Sequence, residues 1–135
     1  MSNLPIFNVA GSAMQAQSVR LSTIASNLAN ADSVSGDPDA VFRAKQPVFS
    51  AEAVAGKPEL SGVQVTEVTE STAAPIKRYE PGHPLADGEG YVYAPAIDPV
   101  AQMVDLISAS RGYQANVEVF NTAKELAMAT LNMGK

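Results

Sequence analysis

The chain has 135 residues, 46% of them hydrophobic, the length and apolar fraction of a single folding domain. Its net charge of −5, with no basic stripe to neutralise phosphates, argues against a nucleic-acid partner, and the lack of cysteine rules out disulfide and thiolate chemistry. No run approaches about 18 continuous apolar residues, so no membrane-spanning helix is expected, and the N-terminus lacks the basic and apolar regions of a cleaved secretory signal.

Charge divides the chain into three expected segments. Residues 1–31 hold one charged side chain, Arg20. Residues 32–98 hold eleven acids and five bases, and residues 99–135 balance three against three. The expected order is an N-terminal helix over 1–31, a β-rich insertion with loops over 32–98, and a C-terminal helix over 99–135. The fold class is therefore α+β, with the two long terminal helices pairing as a coiled-coil-like bundle around a small β-rich insertion.

In the first segment Ala10, Met14, Gln17, Leu21, Ile24, Leu28 and Ala31 recur at alternating spacings of four and three, the seam of a packed helix. Off the seam stand Ala, Ser, Asn and Gln, where an exposed helix usually carries Glu, Lys and Arg. Small neutral residues on every side suit close packing on more than one face. The segment ends in Ser26-Asn27-Leu28-Ala29-Asn30. Two readings stand for this asparagine pair: helix termination, for which Asn30 is well placed, and a buried amide at Asn27 that fixes register between packed elements.

The insertion holds most of the prolines and several short β-like runs. Gly62 to Thr69 alternates and then slips phase between Val65 and Val68, the pattern of a bulge. Phe42 to Phe49 and Tyr91 to Tyr93 are further strand candidates, and residues 80–84 and 87–90 carry turn chemistry.

The last segment opens on Asp98-Pro99, an N-cap with Pro at the first helical position, and runs to Gly134 as a C-terminal stop. Met103, Leu106, Ser110, Tyr113, Val117, Phe120, Lys124, Ala127 and Leu131 form its expected seam. A second stripe, Val119, Ala123, Leu126, Thr130 and Met133, makes the end of the helix apolar nearly all round, so it must be covered all round. Gly112 inside such a helix marks a close approach or a soft point.

No catalytic, cofactor or metal site is expected. His83 is the single histidine and sits between Gly82 and Pro84, which reads as a turn. Asp37 with Asp39, and Asp87 with Glu89, read as solvated turn acids, since neither pair has the spacing of a calcium loop. The other reading is a small secreted enzyme or ligand-binding domain with its site around His83, Asp87 and Glu89.

Motifs along nearly the whole chain resemble those of the axial proteins of the bacterial flagellum, most closely the FlgC branch of basal-body rod proteins. The similar stretches are Ser26-Asn27-Leu28-Ala29-Asn30, residues 79–87 (YEPGHPLAD), residues 89–92 (EGYV), and residues 110–124 (SRGYQANVEVFNTAK). The resemblance implies a non-enzymatic structural subunit of the proximal rod, exported through the flagellar type III apparatus without a cleaved signal. It implies a hollow shaft that crosses the periplasm, transmits torque and passes later subunits. The implied neighbours are further copies of the chain, FlgB, FliE, and the distal rod proteins FlgF and FlgG. The expected subunit interface draws on Met14, Leu21, Ile24, Asn27, Leu28 and Asn30 from the first helix. From the last it draws on Met103, Leu106, Tyr113, Asn116, Val117, Phe120, Leu126 and Leu131.

Overall fold

A computed structural model describes residues 4–134. Two helices dominate it: α1, Leu4–Asn30, and α2, Pro99–Met133. At 1.5 Å per residue the 35 residues of α2 extend about 50 Å. Asp98 caps its start, its side chain accepting the Val100 N–H, and Gly134 closes its end, donating its N–H to the carbonyls of Thr130 and Leu131. The helices run antiparallel. Phe7 packs edge-on against Phe120, Gln17 lies against Gly112, and Asn27 reaches Gln102.

Of the expected seam of α2, Leu106, Ser110, Tyr113, Val117, Phe120 and Ala127 are half-buried, while Met103, Lys124 and Leu131 stay exposed. Gln102, Gly112 and Asn116 are half-buried beside it, and the deepest positions are Ala109 and Ala123, one residue before Ser110 and Lys124. The reason is steric. Ala109 and Ala123 are the two residues of α2 that are fully buried, because a close helix approach selects small side chains over large apolar ones. Gly112 belongs to the same logic, for a Cβ there would lie 3.0 Å from Gln17 Nε2.

Between the helices the chain forms two small antiparallel sheets. The first is a long hairpin of β1, Lys45–Val54, and β2, Lys57–Glu70, joined through Gly56 at φ 79°, a conformation that favours glycine. Its register shifts where Val48 faces Glu67 but Phe49 faces Val65, so Thr66 is the bulged residue, in the place where the alternation slips. The second sheet pairs β3, Ile76–Tyr79, with β4, Tyr91–Ala94, and Ser35 adds a two-bond bridge to Tyr93 on the other edge of β4. Val41, Val92, Ala94, Pro95 and Ile97, in and around this second sheet, are buried.

α1 is thus covered from two directions, by α2 and by the hairpin. It ends without a left-handed residue, since no non-glycine residue among those described has positive φ. Instead Ser33 donates both its N–H and its Oγ–H to the Asn30 carbonyl, at 3.1 and 2.7 Å. The Asn30 side chain turns back to the Ser26 carbonyl at 2.9 Å. Asn30 therefore closes the helix through ordinary turn bonds rather than by the backbone conformation that asparagine tolerates.

Candidate assembly interface

The expected interface residues fall into two groups. On α1, Ile24 and Asn27 are buried, and Met14, Leu21, Leu28 and Asn30 are half-buried. On α2, Leu106, Tyr113, Asn116, Val117 and Phe120 are half-buried, and the Asn116 amide donates to the Gly112 carbonyl one turn back. These side chains already have neighbours within the chain. Met103, Leu126 and Leu131 are different, being 53%, 62% and 66% exposed.

The geometry of the helix pair explains the exposed group. The contacts of Phe7 with Phe120 and of Gln17 with Gly112 place Leu4 opposite the turn of α2 that carries Lys124. From Leu126 onward α2 runs past the described start of α1. This overhang presents Leu126, Met128, Leu131 and Met133, the last 86% exposed, and residues 126–134 contain no charged side chain. At the other end of α2, Val100, Val104 and Ile107 join Met103 on the outward face. The expected interface omits Val100, Val104 and Ile107, whereas Met128 lies within the end of the helix expected to be apolar nearly all round. The available signal for the omitted three was that they fit no single seam together with Leu106 and Tyr113.

α1 offers a different surface. Asn8, Gln15, Ser18, Ser22, Ala25 and Ala29 form an exposed strip, uncharged and mostly small, and Ile6 near the start of the helix is 41% exposed. Its one charge, Arg20, lies 3.6 Å from Asp105 of α2, a partly exposed pair that contributes little to stability. Exposed large apolar side chains of the helix pair are thus concentrated toward the two ends of α2.

The loop around His83 has another character. His83 Nδ1 accepts the Leu85 N–H at 3.0 Å. Asp87 Oδ1 accepts the N–H groups of Glu89 and Tyr91, each at 2.9 Å. The Tyr91 N–H above all, helped by those of Glu89 and the Tyr93 hydroxyl, holds the Asp87 carboxyl below the usual carboxylate range. His83 Nδ1 and the Asp87 carboxylate thus serve the turn itself. Among the described residues no group of three or more His, Cys, Asp or Glu is placed to hold a metal ion, and no helix is long and apolar enough to cross a membrane.

Known proteins match both ends and the whole length. Residues 7–36 match the family model for the flagella basal body rod protein, and residues 89–133 match that for the C-terminal part of flagellar basal body rod FlgEFG proteins. The chain is 53% identical over 135 residues to the flagellar basal-body rod protein FlgC of Salmonella typhimurium strain LT2, covering all of both chains. It is 51% identical to the FlgC of Yersinia enterocolitica, again over the full length of both. Identity to the FlgC of Aquifex aeolicus is 39%, covering 98% of this chain and 99% of the relative. With a neutral helix pair, apolar ends and full-length identity of this order, the chain belongs to the FlgC family of flagellar basal-body rod proteins.

Proposed function

We propose that this chain is a non-enzymatic subunit of the proximal rod of the flagellar basal body, and that the helix pair forms its assembly surface. Copies of the chain and the related axial proteins FlgB, FliE, FlgF and FlgG are its neighbours in this reading. Head-to-tail contact between such subunits builds an open helical shaft where the rotation from one subunit to the next does not close. The shaft crosses the periplasm, carries torque to the hook, and encloses a channel for exported subunits. Delivery is through the flagellar type III export apparatus without a cleaved signal.

The observation that carries the reading is the overhang of α2, an uncharged apolar end with no described residue of α1 opposite it. An end of this kind costs free energy in water and is covered when a neighbouring helix packs against it. The residues named for the interface divide accordingly. Met103, Leu126 and Leu131 meet neighbouring subunits. Leu106, Tyr113 and Phe120 hold the helix pair that presents them.

Removing residues 126–135 tests this. The shortened chain keeps the helix pair and both sheets, with the loss of far-UV circular dichroism limited to the deleted turns. A strain carrying it is non-motile, and its basal bodies lack a completed rod. Motility at the parent level with the shortened chain would overturn the proposal.

A further inference from the structure

Two polar anchors fasten the hairpin along α1. At the first, the Asn27 side chain is 2% exposed. Its Oδ1 accepts the Lys45 N–H at 2.8 Å, and its Nδ2 donates to the Lys45 carbonyl at 2.9 Å and to Gln102 Oε1 at 3.1 Å. The amide makes with Lys45 the two bonds that an adjacent strand would make at this edge of β1. Pro47, two residues on, presents no N–H to the same edge, so the ladder cannot continue there.

At the second anchor, Ser12 Oγ accepts the Val63 N–H at 3.1 Å and donates to the Val9 carbonyl at 2.8 Å. The neighbouring Gly62 is buried, and a Cβ on it would lie 2.8 Å from that oxygen. Glycine here lets the strand come down onto the helix.

The spacing of the anchors matches on both partners. From Ser12 to Asn27 the helix rises about 22 Å. From Lys45 to Ala51, which faces Val63, the strand spans about 20 Å, close to the same length. Both anchors therefore engage together. One anchor would leave the hairpin free to pivot, whereas two set its direction. Apolar packing between them is incomplete. A groove of ≈ 210 Å³ beside Asn27, Pro47 and Phe49, and another of ≈ 330 Å³ beside Ala16, Val19 and Val63, run along the contact. A loosely packed contact does not define an angle by shape, so the directional bonds must.

We infer that Asn27 and Ser12 are positioning residues that hold the hairpin at a fixed direction relative to the helix pair. Asn27 is the stronger of the two, because its buried amide ties α1, β1 and α2 at one point. Held in this way, the hairpin passes a sideways load into the helices instead of swinging under it. The inference rests on the chain's own geometry and is independent of which subunits surround it.

The absence of cysteine allows a direct test on the full chain. Nitroxide labels on A55C and E118C report the hairpin tip against α2, and labels on S18C and R111C report the helix pair alone; all four sites are exposed. In the parent both pairs give a single narrow distance distribution. In Asn27→Ala the hairpin pair loses its narrow peak while the helix pair keeps it, and Lys45 amide exchange rises about tenfold or more. Asn27→Asp keeps the acceptor for the Lys45 N–H without the two donor bonds, and gives a distribution between the two. Ser12→Ala broadens the hairpin pair less than Asn27→Ala does. A narrow hairpin pair in Asn27→Ala, or a broad one in the parent, overturns the inference. So does equal broadening of both label pairs in Asn27→Ala and Asn27→Asp, which would mean that Asn27 merely supports the helices.

Discussion

Replacing Gly112 by Ala tests how closely α1 and α2 approach. Alanine is favoured over glycine in a helix interior by about 1 kcal/mol, so on an isolated helix the change stabilises. In this structure the new Cβ meets Gln17 Nε2 at 3.0 Å and Cδ at 3.2 Å. Those atoms are the far end of a flexible side chain, which gives way by leaving its rotamer at a cost of about 0.5–1.5 kcal/mol. The two terms nearly cancel, and Gly112→Ala alone changes stability by no more than about 0.5 kcal/mol in either direction. In a Gln17→Ala background the obstacle is gone, and the same change stabilises by the full amount, about 1 kcal/mol. Gln17 suits this design because its Oε1 is buried without a hydrogen-bond partner, so no internal bond to that oxygen is lost with the amide. The assay is a double-mutant cycle in urea, followed by far-UV circular dichroism because the chain has no tryptophan. Additivity within about 0.3 kcal/mol would refute the argument. A loss above about 2 kcal/mol in the single variant would also refute it, since the glycine would then be accommodating backbone rather than a side chain.

Two further outcomes follow from the same contacts. Phe120→Ala removes a ring packed edge-on to Phe7, centroids 4.8 Å apart at 63°, and because both rings are half-buried the loss is about 2 kcal/mol, read as a lower urea midpoint with an unchanged slope. Asp87 has a folded pKa below its ordinary 3.8, so its contribution is fully present above that value and disappears as the pH falls through the lower folded value. The amide resonances of Glu89 and Tyr91, which donate to Asp87 Oδ1, move together in that acid window, and Asp87→Asn flattens the titration of both. Independent midpoints for the two amides would show that no shared carboxylate controls them.

The helices were legible because several signals coincide in each. Periodicity, the Asp98-Pro99 start and the Gly134 stop all mark α2, and observed and expected bounds agree to within a residue or two. The expected seam follows the 3–4 spacing through Ser110 and Lys124, its two polar positions, whereas the close crossing centres one residue earlier on Ala109 and Ala123, whose small side chains let the helices approach. The slip between Val65 and Val68 was legible as a bulge because it breaks a period of two. The partner stretch Ala51-Glu52-Ala53 was not legible as strand, since it is exposed on both faces and carries no alternation. β3 was missed for a related cause, its four residues Ile76, Lys77, Arg78 and Tyr79 all being exposed at a sheet edge.

The scarcity of charge in α1 carried two meanings that composition alone cannot separate. A helix avoids charge if it is covered by other subunits, and equally if it is covered by its own chain. α1 is covered mainly by its own chain, with α2 along the seam of Phe7 and Gln17 and the hairpin along the line of Ser12 and Asn27. What remains free of it is an uncharged strip of mostly small residues, with Ile6 exposed near the start of the helix. α2 carries more charge, yet it leaves Met103, Ile107, Leu126 and Met133 in water. Exposed apolar surface, rather than missing charge, is therefore the basis on which we propose the two ends of α2, and not α1, as the place where neighbours pack.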